Sequence, residues 1–230
     1  MIRLAKPNIT KNAINDVVDI LKSGNLVQGY HVAKFEKDLA DYLNVKEAIM
    51  VSNGTAALHL SLLALDIKSS DEVIVPAFTY IATVNSVEFI GAKPVFVDIN
   101  LNDFCIDTSQ IESVITKKTT AIMVVHEFGQ PANMSEVKKI CDKYKLKLVE
   151  DAACALGSKY NDKMIGSIGQ LGCFSFHPRK AITTGEGGAV ITNDKNLAKK
   201  VRALRNHGIE YNSNKPEFNY AGFNYRMTEF

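Results

Sequence analysis

Short apolar strands alternate with amphipathic helices along most of this sequence, and that alternation limits the folds open to it. Strand-like segments such as Glu72–Pro76, Thr120–His126 and Lys147–Glu150 are separated by segments with helical spacing. Connections of that length join parallel strands, and strands that are apolar on both sides are covered on both faces. The sequence therefore predicts an α/β fold of three layers, α/β/α, around a mostly parallel sheet.

Two helices are predicted before the first strand. One covers residues 11–23, where Thr10 is a possible cap and Gly24 a stop signal. The apolar positions of the two helices are Ile14, Val17, Val18 and Leu21 in the first, and Phe35, Leu39, Tyr42 and Leu43 in the second.

Composition narrows the class of protein. The chain has 230 residues, which is room for one sizeable α/β domain or two small ones, and its net charge of +2 gives no reason to expect nucleic acid or an anionic membrane as a partner. No apolar run is long enough to span a bilayer, and the N-terminus lacks a signal-peptide core. The widely spaced cysteines predict reduced thiols, and the scattered histidines predict no metal site. A cytoplasmic protein is expected.

Asp151 stands where the predicted strand Lys147–Glu150 ends, followed by the small residues Ala152 and Ala153. In parallel sheets, ligands bind at the carboxyl ends of the strands. The ordinary alternative for such an aspartate is a cap or a loop position. The position alone favours neither use.

A possible anion site lies where the strand ending at Ser52 runs into an apolar helix. Small polar residues, Asn53 to Thr55, stand at the mouth of that helix. The first N–H groups of a helix have no partner within it, and the helix dipole favours a negative charge there. A plain cap by Asn53 or Thr55 explains the same residues.

The stretch Gly172–Gly188 contains the candidate nucleophile Lys180, which is flanked by small and apolar residues. A lysine that loses hydration among such neighbours favours its neutral, nucleophilic amine. Glycines at the end of the stretch, Gly187 and Gly188 among them, allow a close approach of the backbone to a ligand or neighbour. A surface lysine in a glycine-rich turn is the alternative.

The segment Ser175–Gly188, with the sequence SFHPRKAITTGEGG, resembles the cofactor-binding lysine segment of the nucleotide-sugar aminotransferases of the DegT/StrS type. These are pyridoxal 5'-phosphate enzymes of fold type I, so the resemblance implies that residues 1–230 form their N-terminal region and large cofactor-binding domain. It implies that Lys180 carries the cofactor as a Schiff base and that Asp151 pairs with its pyridine nitrogen. Ser175 and the helix mouth are implied as phosphate contacts, the latter through Gly54, Thr55 and Ala56.

The resemblance adds two further residues. Tyr80 matches the aromatic residue that stacks on the cofactor ring, with Phe78 as the fallback, although a core position for Tyr80 is the alternative. Asn224 matches an asparagine that reaches across a dimer interface to the partner's cofactor phosphate, which implies a homodimer with shared active sites.

Two residues depart from the family pattern. Cys154 stands near the expected phenolic oxygen of the cofactor, where the family has Gln or His, and Gln170 stands where it has Asp. A thiol is a weak hydrogen-bond donor, so Cys154 is expected to tune the ring less.

The function implied is transfer of an amino group, with glutamate as the donor, to a keto group of a nucleotide-linked sugar for amino-sugar and surface-polysaccharide biosynthesis. A non-catalytic or regulatory cofactor binder is the alternative. A sugar dehydratase of this fold is disfavoured because position 180 is Lys rather than His, and a dinucleotide-dependent dehydrogenase lacks its G-x-G-x-x-G turn. Because the sequence ends where the family continues into a small C-terminal domain, we expect weakened or absent turnover from these 230 residues alone.

Overall fold

The computed structural model describes residues 5–213 and 215–230. In chain order the helices are α1 Lys11–Ser23, α2 Tyr30–Leu43, α3 Gly54–Ala64, α4 Ala82–Phe89, α5 Thr108–Val114, α6 Met134–Tyr144 and α7 Lys195–Arg205. The strands are β1 Glu47–Val51, β2 Glu72–Pro76, β3 Lys93–Val97, β4 Thr119–Val125, β5 Lys147–Asp151, β6 Lys159–Tyr160, β7 Lys163–Met164, β8 Leu171–Ser175, β9 Gly188–Thr192, β10 Ile209–Asn212 and β11 Lys215–Phe218.

Within the described residues, one large sheet has the strand order β1-β9-β8-β5-β4-β2-β3. The strands from β8 to β3 run parallel, because helices provide most of the crossovers between them. Strand β9 is antiparallel to both β8 and β1. The prediction of a mostly parallel sheet is confirmed. The β8–β9 connection has no helix, so its loop, which carries Lys180, stays at the carboxyl end of β8.

Apolar residues cover both faces of the sheet, as its strand pattern predicts. Along β4, Ile122 packs on the side of α2, α5 and α6, whereas Met123 packs on the side of α3, α4 and α7. This alternation follows from the two-residue period of a strand. Each large side chain buried in this way stabilises the fold by roughly 1.5–3 kcal/mol. The three-layer prediction is confirmed, and no helix in the described part of the chain is long and apolar enough to cross a membrane.

Local sequence signals account for several helix ends. Thr10 caps α1 by accepting the N–H of Ala13, and Gly24 ends it in the left-handed conformation at φ 73°. Asn133 caps α6 by accepting the N–H of Glu136. The predicted cap at Thr10 and the predicted stop at Gly24 are confirmed.

Helix α4 begins at Ala82, and the residues between it and Pro76 at the end of β2 are not helical. The N–H of Ala77 donates to the carbonyl of Val97 on β3, which continues the strand pairing beyond Pro76. Residues 77–81 therefore form a loop at the carboxyl edge of the sheet, and this loop carries Tyr80.

The apolar side chains of α1 lie mostly outside the core. Ile14, Val18 and Leu21 are exposed, whereas Ile20 is buried. The predicted helix is therefore present, but its apolar positions form a surface face. Large exposed apolar surfaces on a soluble domain commonly mark interaction sites.

Candidate active site

Asp151 is the last residue of β5 and is buried at the carboxyl edge of the sheet. Its carboxylate accepts hydrogen bonds from the Thr83 hydroxyl at 2.8 Å and from the Ala153 N–H at 3.1 Å. Burial raises the pKa of Asp151, and these two bonds and the charge of Lys180 oppose that rise. A cation brought to this carboxylate would lower its pKa and so oppose the effect of burial. The site is therefore suited to a positively charged ligand atom.

The neighbouring Glu150 points to the opposite face of β5, where it stabilises the fold. Its buried carboxylate accepts N–H groups from Gly166, Ile168 and Gly169 at 2.9, 2.7 and 2.6 Å. It also lies 3.1 Å from Nε2 of His126. The alternation of a strand thus gives two adjacent carboxylates different environments: Glu150 is held by the backbone, and Asp151 is held by Thr83 and the Ala153 N–H at the carboxyl edge.

Lys180 lies in the loop between β8 and β9, where its N–H donates to the carbonyl of His177 at 2.8 Å. The side chain is half-buried, and Nζ donates to Sγ of Cys154 at 2.9 Å. Cys154 follows Asp151 by three residues, so the lysine reaches the segment that leaves β5. The charge of Lys180 lowers the pKa of Asp151 and of Glu127, although burial, the larger effect, raises both.

The mouth of α3 packs against the end of β8. A Cβ on Gly54 would stand 2.9 Å from Cβ of Ser175, and a Cβ on Gly188 would stand 2.5 Å from the carbonyl carbon of Asn53. Both glycines permit the close approach that brings Ser175 beside the first turn of the helix.

Asn53 caps α3, because its side chain accepts the N–H of Ala56 at 2.8 Å. The two sequence alternatives are therefore compatible: one amide of the predicted cradle is engaged by the cap. The N–H groups of Gly54 and Thr55 lie in the first turn, where a helix supplies no partner. These amides and the Ser175 hydroxyl are the groups suited to a phosphate.

Tyr80 is an exposed side chain rather than a core residue, with 71% of its surface accessible. Its carbonyl accepts the N–H of Thr83, which places it one turn before the residue that holds Asp151. Phe78 instead joins Phe104 and Phe128 in an aromatic cluster, with ring centroids 6.1 and 6.2 Å from its own. Of the two candidates, Tyr80 has the ring without an aromatic neighbour among the described residues.

Asn224 is exposed on the segment that follows β11, where its Oδ1 accepts from Nε of Arg226 at 3.0 Å. The backbone of Asn224 forms an isolated antiparallel β-bridge with that of Asn206. In the described part of the chain, no hydrogen bond joins Asn224 to Ser175 or Lys180. The contact of Asn224 with a partner subunit therefore stays a prediction.

Three residues make contacts that the sequence analysis did not predict. No local motif marks Thr83 or Glu127. Their proximity to Asp151 follows only from the packing of α4 and the end of β4 beside β5. Gln170, a departure from the family pattern, accepts the N–H of Leu148 at 2.6 Å. Its side chain therefore ties β5 to the start of β8, away from the carboxyl edge.

These residues fit pyridoxal phosphate. Asp151 offers a buried carboxylate to a cationic ring nitrogen, and Lys180 offers an amine on the same edge of the sheet. The mouth of α3 and Ser175 form a close-packed corner suited to a phosphate. The ring nitrogen, the aldehyde and the phosphate of the cofactor thus each have a matching group in the chain.

The sequence profile of the DegT/DnrJ/EryC1/StrS aminotransferase family matches residues 7–230. The chain belongs to this family. It is 44% identical to the GDP-perosamine synthase of Caulobacter vibrioides over 99% of this chain and 61% of that protein.

Solved structures agree with this assignment. Helicobacter pylori PseC, an aminotransferase involved in the biosynthesis of pseudoaminic acid, superposes with a TM-score of 0.92 at 35% identity, covering 99% of this chain and 62% of that one. Bacillus subtilis NtdA with bound cofactor PMP superposes with a TM-score of 0.88 at 36% identity, covering 96% of this chain and 51% of that one. PMP is the amino form of pyridoxal phosphate, the cofactor of this family. The chain spans about three fifths of the length of the curated relatives it matches.

Proposed function

We propose that this chain forms the cofactor-binding large domain of a pyridoxal-phosphate-dependent aminotransferase that acts on nucleotide-linked sugars. The observation that carries the proposal is the convergence of Lys180 and Asp151. The lysine reaches Cys154, three residues beyond the buried carboxylate, and its charge acts on that carboxylate. One planar cofactor can contact both groups.

When bound, the cofactor supplies an electron sink for negative charge at the carbon that carries the amino group. Asp151 holds the ring nitrogen in its protonated form, because a buried carboxylate is stabilised by an adjacent cation. Thr83 and the Ala153 N–H fix the two carboxylate oxygens, so the carboxylate has a defined direction.

Lys180 has two tasks in this proposal. Its amine would hold the cofactor covalently. When free, Nζ would remove a proton at the substrate carbon and return it. Acid–base catalysis of this kind is typically worth about a hundredfold to ten-thousandfold in rate. The flexible stem of a lysine in a loop suits both positions.

The phosphate is held by the amides of Gly54 and Thr55 and by the hydroxyl of Ser175. Ala56 contributes through the helix rather than through its engaged N–H. Tyr80 would stack on the face of the ring, and Cys154 would stand near its phenolic oxygen. Asn224 would contribute to the phosphate site of a second subunit.

The proposed substrates are an amino acid, glutamate, and a keto group on a nucleotide-linked sugar. The name of the Caulobacter relative, GDP-perosamine synthase, supports this class of acceptor. A cytoplasmic homodimer is proposed with it. The exposed apolar face of α1 and the exposed position of Asn224 support a partner surface.

Borohydride trapping tests the proposal. The purified chain is loaded with pyridoxal phosphate, reduced, digested and mapped by mass spectrometry. We expect the label on the peptide that contains Lys180, and its loss with the visible absorbance in Lys180→Ala. Lys163→Ala, at an exposed lysine of β7, is the matched control and keeps both. A trapped adduct at another lysine in Lys180→Ala would show that Lys180 is not the attachment site.

A second measurement separates an enzyme from a non-catalytic binder. Glutamate added to the loaded chain is expected to bleach the visible band of the bound cofactor as the amino group is transferred. A band that persists with glutamate, on a chain labelled at Lys180, would favour the regulatory alternative.

A further inference from the structure

Cys154 and Lys180 form a contacting pair of nucleophiles at the carboxyl edge of the sheet. Nζ of Lys180 donates to Sγ of Cys154 at 2.9 Å, and Cys154 is exposed to solvent. Lysine has a flexible four-carbon stem, and Cys154 lies in the loop after β5. The two atoms can therefore approach further without displacement of a strand.

The other three cysteines differ from Cys154 in their surroundings. Cys105, Cys141 and Cys173 are buried. Burial raises the pKa of Cys105 to about 11 and that of Cys141 to about 12, and it raises the pKa of Cys173 further. Oxidants reach solvent-exposed thiols and leave buried neutral thiols largely untouched. Cys154 is thus the thiol that an oxidant reaches first.

We propose that Cys154 and Lys180 are an oxidation site, in which a hydroperoxide converts the thiol to a sulfenic acid and the lysine amine then closes a sulfur–nitrogen bond. In the first step, the thiol takes one oxygen from hydrogen peroxide and water leaves. In the second, Nζ attacks sulfur, the S–OH bond breaks, and the hydroxide leaves as water with one amine proton. Sulfenic acids condense in this way with nitrogen nucleophiles.

The bond has a consequence that rests on the proposed function. Lys180 cannot attach an aldehyde while its nitrogen is bound to sulfur, so oxidation blocks cofactor loading. Reduction by a thiol restores it, because the thiol attacks sulfur, the amine leaves, and a second thiol frees Cys154. Conversely, a chain with cofactor already attached has no free amine at position 180. The pair is therefore a redox control on the unloaded chain.

Intact-mass and peptide analysis of the 230-residue chain without cofactor tests the bond itself. After treatment with hydrogen peroxide we expect a mass lower by two hydrogen atoms and a peptide that joins Cys154 to Lys180. Trypsin should also fail to cleave after Lys180. Dithiothreitol should reverse all three changes. Cys154→Ser and Lys180→Ala should each abolish the cross-link, whereas Lys163→Ala should keep it.

A gain of oxygen at Cys154 with no cross-link, a disulfide in its place, or a cross-link that persists in Cys154→Ser would each overturn the proposal. A second arm measures cofactor attachment by borohydride trapping. We expect label to fall in proportion to the cross-linked fraction in the native chain and to resist peroxide in Cys154→Ser. If the reduced chain takes no label at Lys180, the proposed function fails while the cross-link result stands.

Discussion

The hydroxyl of Thr83 donates a 2.8 Å hydrogen bond to Oδ2 of Asp151, which ties the first turn of α4 to the carboxyl end of β5. Both side chains are buried. The same hydroxyl lies 2.8 Å from that of Thr79, in the loop that carries Tyr80. One threonine therefore connects the carboxylate proposed for the ring nitrogen with the loop proposed to cover the ring face.

Replacement of Thr83 by valine should weaken cofactor binding. A hydrogen bond to a charged group is worth about 1.5–3 kcal/mol, and about 1.4 kcal/mol corresponds to a tenfold change in affinity. We expect Thr83→Val to raise the Kd for pyridoxal phosphate roughly tenfold or more, measured by absorbance titration. Thr83→Ser, which keeps the hydroxyl, should bind nearly as the parent does. Equal affinity in the valine variant would exclude this positioning role.

Replacement of Asp151 by asparagine should stabilise the chain in the absence of cofactor. Burial raises the pKa of Asp151, so its native form binds protons more readily than the unfolded chain, whose aspartates titrate near about 3.9. The resulting contribution to stability is fully present below that pH and is lost as pH rises through the raised pKa. Asp151→Asn removes the charged form, and we expect a higher urea midpoint at pH 7.

The pH dependence supplies the control for this prediction. The difference between Asp151→Asn and the parent should shrink as the pH falls towards about 3.9, because the aspartate of the parent is then protonated and neutral like the asparagine. A difference that is constant with pH would trace the effect to packing instead. Cofactor binding should weaken in the same variant, because a neutral amide does not stabilise a protonated ring nitrogen.

Glu150, one residue earlier, should respond in the opposite direction. Its carboxylate accepts three backbone N–H groups and lies beside His126. The NH2 group of a glutamine in its place would face N–H donors and could not accept a hydrogen bond from them. Leaving buried groups unpaired costs about 1–3 kcal/mol each. We expect Glu150→Gln to lower the free energy of unfolding by roughly 3 kcal/mol, measured by urea denaturation at pH 7. A neutral effect would mean that the loop at Gly166 rearranges freely.

Local signals in the sequence were sufficient to single out Lys180 and Asp151 as candidates, whereas their roles toward the cofactor come from the family resemblance and stay predictions. A strand that ends in an aspartate, and a lysine among small residues before a glycine run, are visible without knowledge of the fold. The rule that ligands gather at the carboxyl ends of parallel strands then places both on one edge. The parallel sheet itself follows from the spacing of strands and helices.

The contacts around these residues were not predictable in the same way. Thr83 reaches Asp151 across 68 positions of the chain, and Lys180 reaches Cys154 across 26. Such contacts depend on side-chain directions at the end of a strand and on where α4 begins, and a shift of one or two residues at a helix start changes them. The exposure of the apolar face of α1 could not be predicted for a related reason. Helical spacing shows that a helix has an apolar face but not which part of the protein, if any, packs against it.

Gly54 should be intolerant of a side chain. A Cβ there would stand 2.9 Å from Cβ of Ser175, closer than nonbonded carbons approach, so the mouth of α3 or the end of β8 must shift. Overpacking of this kind costs typically about 1–3 kcal/mol. We expect Gly54→Ala to lower the urea midpoint. It should also weaken the binding of pyridoxal phosphate more than the binding of pyridoxal, which lacks the phosphate. An equal loss for both ligands would argue against a phosphate site at this corner.

Glu229 caps the first turn of α2 although it lies 200 positions after Gly29 in the sequence. Its carboxylate accepts the N–H groups of Gly29, His31 and Val32 at 2.7, 2.9 and 3.0 Å. These are the unpaired donors of the first turn, and Gly29 has no side chain with which to cap them. The segment after β11 is thereby held against the helix. Burial raises the pKa of Glu229, but the three hydrogen bonds outweigh it, so the net shift is downward.

Glu229→Gln should therefore destabilise the chain at neutral pH and lose its effect in acid. Because the native pKa is lowered, the contribution is present above the unfolded value of about 4.3 and disappears as pH falls through the native pKa. We expect a loss of roughly 2 kcal/mol at pH 7, since hydrogen bonds to charged groups are worth about 1.5–3 kcal/mol. Urea denaturation across this range measures it, and Glu88→Gln, at an exposed glutamate of α4, should match the parent throughout. A loss that persists undiminished well below the native pKa would mean that the glutamate acts through its shape and not through its charge.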